Sequence, residues 1–423
     1  MKKTLLVICG IALFAALPVV AQNVVRCASQ PPCAEFEDWL QPLIDARMAD
    51  PEIHPNAIYT IPTVMHVIHN GENVGSGTNL SVAQLNSQFD VLNEDFRKTN
   101  ADFNTVVPAA FQSVAADCEI NFCKAMRTPQ GNAMPTPGVN RINRNTMGWT
   151  APPYSTSYID NTIKPATIWD PTKYFNVWVV NISGGILGYA TFPVGSGLTT
   201  CMNVTLETAT RTGVVILYNA TGRVGNLMAT YNKGRTATHE VGHWLGLRHI
   251  WGDANCGNDC CNDTPTQASS NFNCPTFPKI SCNNGPNGEM YCNYMDYVPD
   301  ACMAMFTQNQ KARMQTCMAN GTYRAPLNTS NACTPVGIDD PYFANAFTLF
   351  PNPTTGTLNI RAAFPENNLQ VRVYNSLGEK VADLGRVVDK EFSIDLSSQP
   401  NGIYMVEFNN GNIVQTMRAN LQR

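Results

Sequence analysis

Residues 239–249 read HEVGHWLGLRH, and few stretches of this length constrain a fold so tightly. His239 and His243 are four apart. On a helix they share one face, a turn apart, where two ring nitrogens can converge on a single ion. Glu240 projects beside them, close enough to take a proton from a water held by that ion. Gly246 tolerates the positive φ that ends such a helix and turns the chain sharply, so that His249 can return to the same point. Three neutral imidazole nitrogens leave one corner of a tetrahedron open, as catalytic zinc requires. A lone histidine more often satisfies a local hydrogen bond, and we read His54, His66 and His69 that way. Three of the chain's six histidines in one such window form a different pattern.

The compartment follows from the N-terminus and the cysteines. Lys2 and Lys3 precede an apolar run from Leu5 to Ala16, and Val19-Val20-Ala21 precedes Gln22. This reads as a secretory signal peptide, residues 1–21, cut after Ala21. The run is too short to span a membrane, and no later run approaches about eighteen apolar residues, so a soluble mature protein without a transmembrane segment is expected. Of fifteen cysteines, only Cys9 leaves with the signal; the rest point to disulfides formed in an oxidising space. A net charge of −4 with both signs mixed argues against nucleic acid as a partner. A length of 423 residues allows about two or three domains.

Residues 22–55 are acidic, Pro-rich and too few to build a core, which suggests a propeptide. Cys27, next to Arg26, suits a zymogen latch whose thiolate fills the open zinc position. A Cys27–Cys33 disulfide suits the same residues equally well. A cut near Arg47 would fit an activating protease of basic preference.

Downstream, Ile58 to Asn70 has the β-branched alternation of a strand. Ser81 and Gln84 form a capping box, and Leu85, Phe89, Leu92 and Phe96 repeat at helical spacing, giving one apolar stripe for a sheet. Further strands are expected at Glu119–Met126, Phe175–Ile182 and Gly213–Leu217. In GGILGYATFP, Gly188, Tyr189 and Ala190 suit an edge strand that pairs with an extended substrate, or an ordinary edge hairpin. After the histidine motif the chain becomes loop-rich, and the irregular spacing of Cys256, Cys260, Cys261, Cys274, Cys282 and Cys292 suits disulfides better than a second zinc site. Asp253, Asp259 and Asp263 could hold calcium or form a solvated acidic loop. Thr307 and Gln310 cap a helix to about Met318.

HEVGHWLGLRH together with Asn293-Tyr294-Met295-Asp296-Tyr297 resembles the zinc helix and Met-turn of metzincin peptidases, and NKGRTATHEVGHWLGL is most similar to the pappalysin family, ulilysin-like bacterial members included. The resemblance covers about residues 56–320. It implies an α+β fold: a metzincin-type zincin domain with a twisted mixed sheet, packed helices and a loop-rich, disulfide-bonded lower half, placed at residues 56–322. It assigns Met295 to the hydrophobic floor below the zinc and Tyr297 to oxyanion stabilisation. It further implies calcium and pairing among Cys256, Cys274, Cys282 and Cys302, with Cys260, Cys261 and Cys292 additional. The implied chemistry is attack of water on a peptide carbonyl, Glu240 accepting the proton and passing it to the leaving amine. Bacterial relatives often prefer a basic residue after the scissile bond, and Asp300 could line that pocket as its counter-ion.

Residues 323–343 lack periodicity and read as a linker to a last unit, residues 344–423. There, alternating strands at Gln370–Tyr374, Phe392–Leu396, Ile403–Phe408 and Ile413–Met417 predict a small β-sandwich. PNPTTG, NGIYMVEF and the end from Arg418 to Arg423 resemble the C-terminal sorting domain of type IX secretion, implying passage through the periplasm and across the outer membrane by that machinery. A carbohydrate-binding module is the structural alternative, but no cluster of exposed aromatics supports it. The whole chain reads as a secreted zinc endopeptidase made as a zymogen and acting on proteins or peptides; a non-catalytic zinc-containing adhesin is the competing class, against which an intact Glu240 argues.

Overall fold

The computed structural model describes residues 24–49, 58–198, 201, 206–335, 346–362, 369–409 and 414–423. The signal peptide and His54 lie outside them. From Val24 the described residues run extended and then form helix α1 (Ala34–Ala49), which the Pro-rich composition hides; it buries Phe36, Leu40 and Ile44. Strand β1 (Tyr59–His69) follows, with eight consecutive buried residues, because both faces of a parallel strand are covered. Helix α2 (Val82–Phe96) lays its expected stripe of Leu85, Phe89, Leu92 and Phe96 into the core. Its cap is half of the expected box. Ser81 Oγ accepts from Gln84 N at 3.1 Å, but the Gln84 side chain turns away to donate to the Thr221 carbonyl at 3.0 Å.

The sheet is completed by β2 (Ile120–Lys124), β3 (Val139–Asn143), β4 (Phe175–Val180), β5 (Gly188–Ala190) and β6 (Val214–Leu217). Its order is β2-β1-β4-β6-β5, with β3 also pairing β1. The pairings are parallel except at the edge, where β5 runs antiparallel to β6. Helix α3 (Arg235–Trp244) packs beneath, its Trp244 ring 4.0 Å from that of Phe175. Contact between α3 and β5 is close: a Cβ at Gly188 would stand 2.8 Å from Glu240 Cγ, so only glycine lets the edge strand lie over the Glu240 carboxylate.

Below α3, residues from Trp251 to Met290 are loops and turns, and helix α4 (Gln308–Asn320) closes the unit with the full Thr307–Gln310 capping box. The cysteines implied by the resemblance pair as Cys256–Cys282 and Cys274–Cys302, while Cys260, Cys261 and Cys292 are free. Two further disulfides, Cys123–Cys333 and Cys33–Cys201, span 210 and 168 positions, distances that local spacing does not reveal. Cys33 is therefore unavailable to Cys27, and the Cys27–Cys33 alternative is excluded. The linker reading also needs correction at its start. Arg324 and Leu327 are buried, Arg324 pairs with Glu207 at 2.7 Å, and Cys333 is stapled to β2, so residues 323–335 belong to this unit.

The C-terminal residues form β7 (Phe347–Phe350), β8 (Thr357–Ala362), β9 (Leu369–Tyr374), β10 (Lys380–Val387), β11 (Glu391–Asp395), β12 (Gly402–Asn409) and β13 (Val414–Leu421). Every pairing is antiparallel, in sheets ordered β10-β9-β12-β13 and β11-β8-β7. Alternate residues such as Leu358, Ile360, Val371, Val373, Val406 and Phe408 fill one core between them, as the alternation predicted.

Candidate metal centre and active-site cleft

Helix α3 places His239 and His243 on one face, and Gly246 at φ +91° reverses the chain immediately after the helix. The motif's geometry depends on that glycine, because a Cβ there would lie 2.6 Å from Cys317 Sγ. His249 then returns, and His243 Nε2 lies 3.1 Å from His239 Nε2 and 3.0 Å from His249 Nε2. Each ring's other nitrogen is already engaged: His239 Nδ1 with the Tyr294 carbonyl at 2.7 Å, His243 Nδ1 with the Leu247 carbonyl at 2.8 Å, and His249 Nδ1 with Asp253 Oδ1 at 2.5 Å. Protons are thus assigned outward, and three lone pairs face one another in a fully buried place. Such an arrangement repels itself unless a cation sits among them. Tetrahedral zinc with Zn–N near 2.05 Å separates its nitrogens by about 3.3 Å, close to the spacing here. Burial, reinforced by the neighbouring imidazoles, holds His239 and His243 well below the usual histidine range, so both rings are neutral and able to offer a lone pair to a metal.

Cys27 Sγ completes the group: it and the three ring nitrogens all lie within 4.8 Å of one another. It also donates to Glu240 Oε2 at 3.4 Å, and Ser29 Oγ donates to the same oxygen at 2.9 Å, itself accepting from Ala190 N at 2.8 Å. Burial pushes the Cys27 thiol up and pushes Glu240 up to about 8. A divalent ion opposes both shifts, favouring thiolate and carboxylate. Glu240 Oε1 has no hydrogen-bond partner among the described residues, leaving one carboxylate oxygen free in the cleft.

Met295 lies directly under α3. Its sulfur would be 2.5 Å from a Cβ at Gly242, so the residue preceding His243 must be glycine for the methionine floor to fit. Tyr297 Oη lies 3.1 Å from His249 Nε2, at the rim of the cluster. Asp300 sits deeper and to one side, fully buried. Its Oδ2 accepts from the backbone N–H groups of Lys233 and Arg235 at 2.9 and 3.2 Å, and its Oδ1 pairs with Arg26 at 3.1 Å. Arg26 also donates to Thr236 Oγ1 at 2.5 Å and stacks 4.8 Å over the Tyr231 ring. The stretch carrying Arg26 and Cys27 runs along the edge strand: Val25 N donates to Gly185 O, Leu187 N to Val25 O and Ala28 N to Gly188 O, each at 3.0 Å, with a parallel bridge between Val25 and Ile186.

Among the described residues Asp253, Asp259 and Asp263, read as a calcium set or as a solvated acidic loop, do not gather about one point, and each has other partners. Asp253 is spent on His249, at a left-handed φ of +57°. Asp263 caps α4, accepting from Thr307 Oγ1 at 2.7 Å and Asn309 N at 2.9 Å. Asp259 is buried beside Thr264 and Cys261 N, and burial raises it to about 7. Sequence reasoning missed Ser29, the Asp253 role and the Arg26–Asp300 pair, although Arg26 had stood out as the neighbour of Cys27. His66 is a core residue, its ring bonded to Asn176 and Asn140; His69 lies at the strand end, accepting from Gly71 N.

A glutamate beside a pocket of three imidazoles, over a methionine turn and under a sheet edge, defines a metalloendopeptidase of the metzincin class. The chain belongs to the pappalysin family within it. Residues 157–319 match the Pregnancy-associated plasma protein-A peptidase family, and residues 348–420 match the secretion system C-terminal sorting domain. An extracellular metalloprotease of Pyricularia oryzae is 32% identical over 62% of this chain and 75% of its own length. Mature mirolysin of Tannerella forsythia, solved with a cleaved peptide, is 40% identical, with a TM-score of 0.57 over 65% of this chain and 97% of that one. A promirolysin point mutant is 37% identical, with a TM-score of 0.59 over 71% and 96%. The protein is thus a secreted metalloendopeptidase with a secretion sorting tail. Among the described residues no helix is long and apolar enough to cross a membrane.

Proposed function

We propose that this protein is a zinc endopeptidase secreted as a latent zymogen, cleaving before basic residues. His239, His243 and His249 would hold the metal, and the self-repelling trio of lone pairs supports that assignment. Zinc, when bound, supplies Lewis-acid chemistry that acidifies water to near-neutral pKa. Glu240 takes the proton from the attacking water and delivers it to the amine nitrogen as the C–N bond breaks. Tyr297 donates its hydroxyl hydrogen to the oxyanion that develops on the former carbonyl. Gly188, Tyr189 and Ala190 pair with the extended substrate backbone, and Met295 supports the ligand helix from below. The sorting tail directs the protein from the periplasm across the outer membrane by the type IX machinery.

One observation supports the latency and the specificity together: Cys27 Sγ lies against the imidazole cluster while its neighbour Arg26 pairs with buried Asp300 at 3.1 Å, which we read as the floor of the pocket for a basic side chain. The prosegment imitates a substrate that places a guanidinium there, but it runs parallel to the sheet edge, as a ligand laid the other way round would. Peptides with Arg or Lys after the scissile bond should therefore be preferred in a cleavage panel. Asp300→Ala should remove that preference, and a preference left unchanged would refute the pocket. Casein hydrolysis should vanish with chelator and return with added zinc.

A further inference from the structure

The segment ahead of the catalytic sheet contains two pieces held by different physics. Residues 24–29 lie in the cleft by a few hydrogen bonds and the contacts of Arg26, Cys27 and Ser29. Residues 33–49 are built into the body. Phe36 and Leu40 are buried, Glu37 pairs with Arg313 at 2.6 Å and Arg248 at 3.2 Å, and Arg47 donates to Gln315 at 2.7 Å. A Cβ at Gly195 would run into the Trp39 ring. Above all, Cys33 is bonded to Cys201, which follows β5 in the catalytic unit.

We propose that cutting the chain between α1 and β1 does not free the inhibitory stretch: the product is a two-chain, disulfide-linked protein still inhibited by its tethered Arg26–Ser29, and reduction of Cys33–Cys201 by an external thiol is the second step of activation. The inference rests on the latency reading above.

Reach makes the tether effective. Between Cys27 and Cys33 the chain spans at most about 3.5 Å per residue, so Cys27 cannot drift more than roughly 20 Å from its anchor. An inhibitor confined in this way rebinds at an effective concentration of about millimolar or more. A second proteolytic cut within the tether would also release it, but its bonds are poor targets. Gln30–Pro31 and Pro31–Pro32 place proline after the bond, where the missing N–H and locked φ oppose extended binding. Pro32 and Cys33 are buried, and Ser29 is lodged against Glu240. Cys201 is half-buried and therefore within reach of a small thiol. The reduction balances with a dithiol as the two-electron donor. Its thiolate attacks one sulfur, the Cys33–Cys201 bond breaks through a mixed disulfide, the dithiol closes to its own disulfide, and its two protons end on Cys33 and Cys201.

The test uses the full chain with a site-specific protease sequence in place of residues 50–57. In a Glu240→Ala background, cut protein should give one intact mass without reductant and two after a small dithiol. In the active background, kcat/KM of the cut protein on a basic peptide should rise at least about tenfold on reduction in zinc-buffered solution. The Cys33→Ser, Cys201→Ser double variant should reach that activity on cutting alone and gain nothing from dithiol, which separates this bond from the other disulfides. A fragment that separates without reductant, or cut oxidised enzyme already as active as reduced enzyme, would overturn the proposal. If the double variant does not fold, the mass measurement on the natural cysteines decides alone. Uncut protein that is fully active would instead overturn latency itself, leaving the tether measurable by mass.

Discussion

The C-terminal sandwich and the catalytic unit are both built on β-sheet, yet their interiors differ in kind. The tail core consists of Leu, Ile, Val, Phe, Ala and Tyr side chains. The catalytic unit buries charged groupings among its described residues, such as Arg26–Asp300, Arg235 with Asp95 and Asp102, Arg313–Glu37 and Arg324–Glu207. Buried ion pairs add little net stability, since desolvation offsets attraction. They do specify position. Arg235 ties the start of α3 to Asp102 and to the Asp300 carbonyl, while Asp95 accepts from Thr238 on α3 and Tyr294 on the Met-turn. Burial outweighs these donors and leaves Asp95 raised, so the network stays intact only while all its members are present. The tail has to be stable; the catalytic unit has to hold three rings and a carboxylate in register.

Each prediction tests that division, beginning with the largest effect. Glu240→Gln should lower kcat/KM of the activated enzyme by about 10^2- to 10^4-fold without lowering Tm, because a buried carboxylate that has lost its solvent is replaced by a neutral amide. A fall in Tm would show that the Glu240 carboxylate also holds the fold. Arg235→Ala should destabilise the catalytic unit by about 3–5 kcal/mol in denaturant titration, the effect of stranding buried Asp95; a loss under about 1 kcal/mol would mean the network is ornamental.

His66 offers a titration test. Its ring stays neutral in the fold down to about 4, chiefly through burial, against 6.5 in a free chain. The unfolded chain therefore binds the proton first. The stability His66 contributes is complete above about 6.5 and is lost as pH falls toward 4, at about 1.4 kcal/mol per pH unit. Subtracting the stability curve of His66→Gln from that of the natural protein should isolate this slope, and parallel curves would refute it. Asp253→Ala should weaken zinc binding about 10- to 100-fold in chelator competition. Asp253→Asn, which keeps an acceptor and tolerates the left-handed backbone, should recover most of it. The smallest change belongs to the tail: Ile360→Val should cost about 0.5–1.5 kcal/mol and leave peptide hydrolysis untouched.

Much of the site was legible because it is local. HEVGHWLGLRH encodes a helical pair and a glycine turn within one short window, so His239, Glu240, His243 and His249 needed no fold to be found. Many of the strands were legible from β-branched or alternating runs, although β3 and β10 were not, and Thr307–Gln310 was legible from its capping pattern. What escaped depends on contacts between residues far apart in the chain. Ser29 meets Glu240 across 211 positions and Arg26 meets Asp300 across 274, and no periodicity records such pairs. Asp253 was misread because an aspartate in a cysteine-rich loop looks like an oxygen ligand until its neighbour on the turn is seen to be His249. Residues 323–335 looked like linker because a disulfide and a buried arginine, rather than an apolar pattern, hold them.

The sequence by itself thus determined the metal chemistry, the class of fold and the sorting tail, since each is written in spacing over a few turns or strands. Only the tertiary structure decided that Cys27 faces the imidazoles rather than Cys33, that Arg26 pairs with Asp300 and that Cys33 is bound to Cys201. Those outcomes turn on which distant side chains the sheet and its loops bring within bonding distance, and that is settled when the whole chain packs.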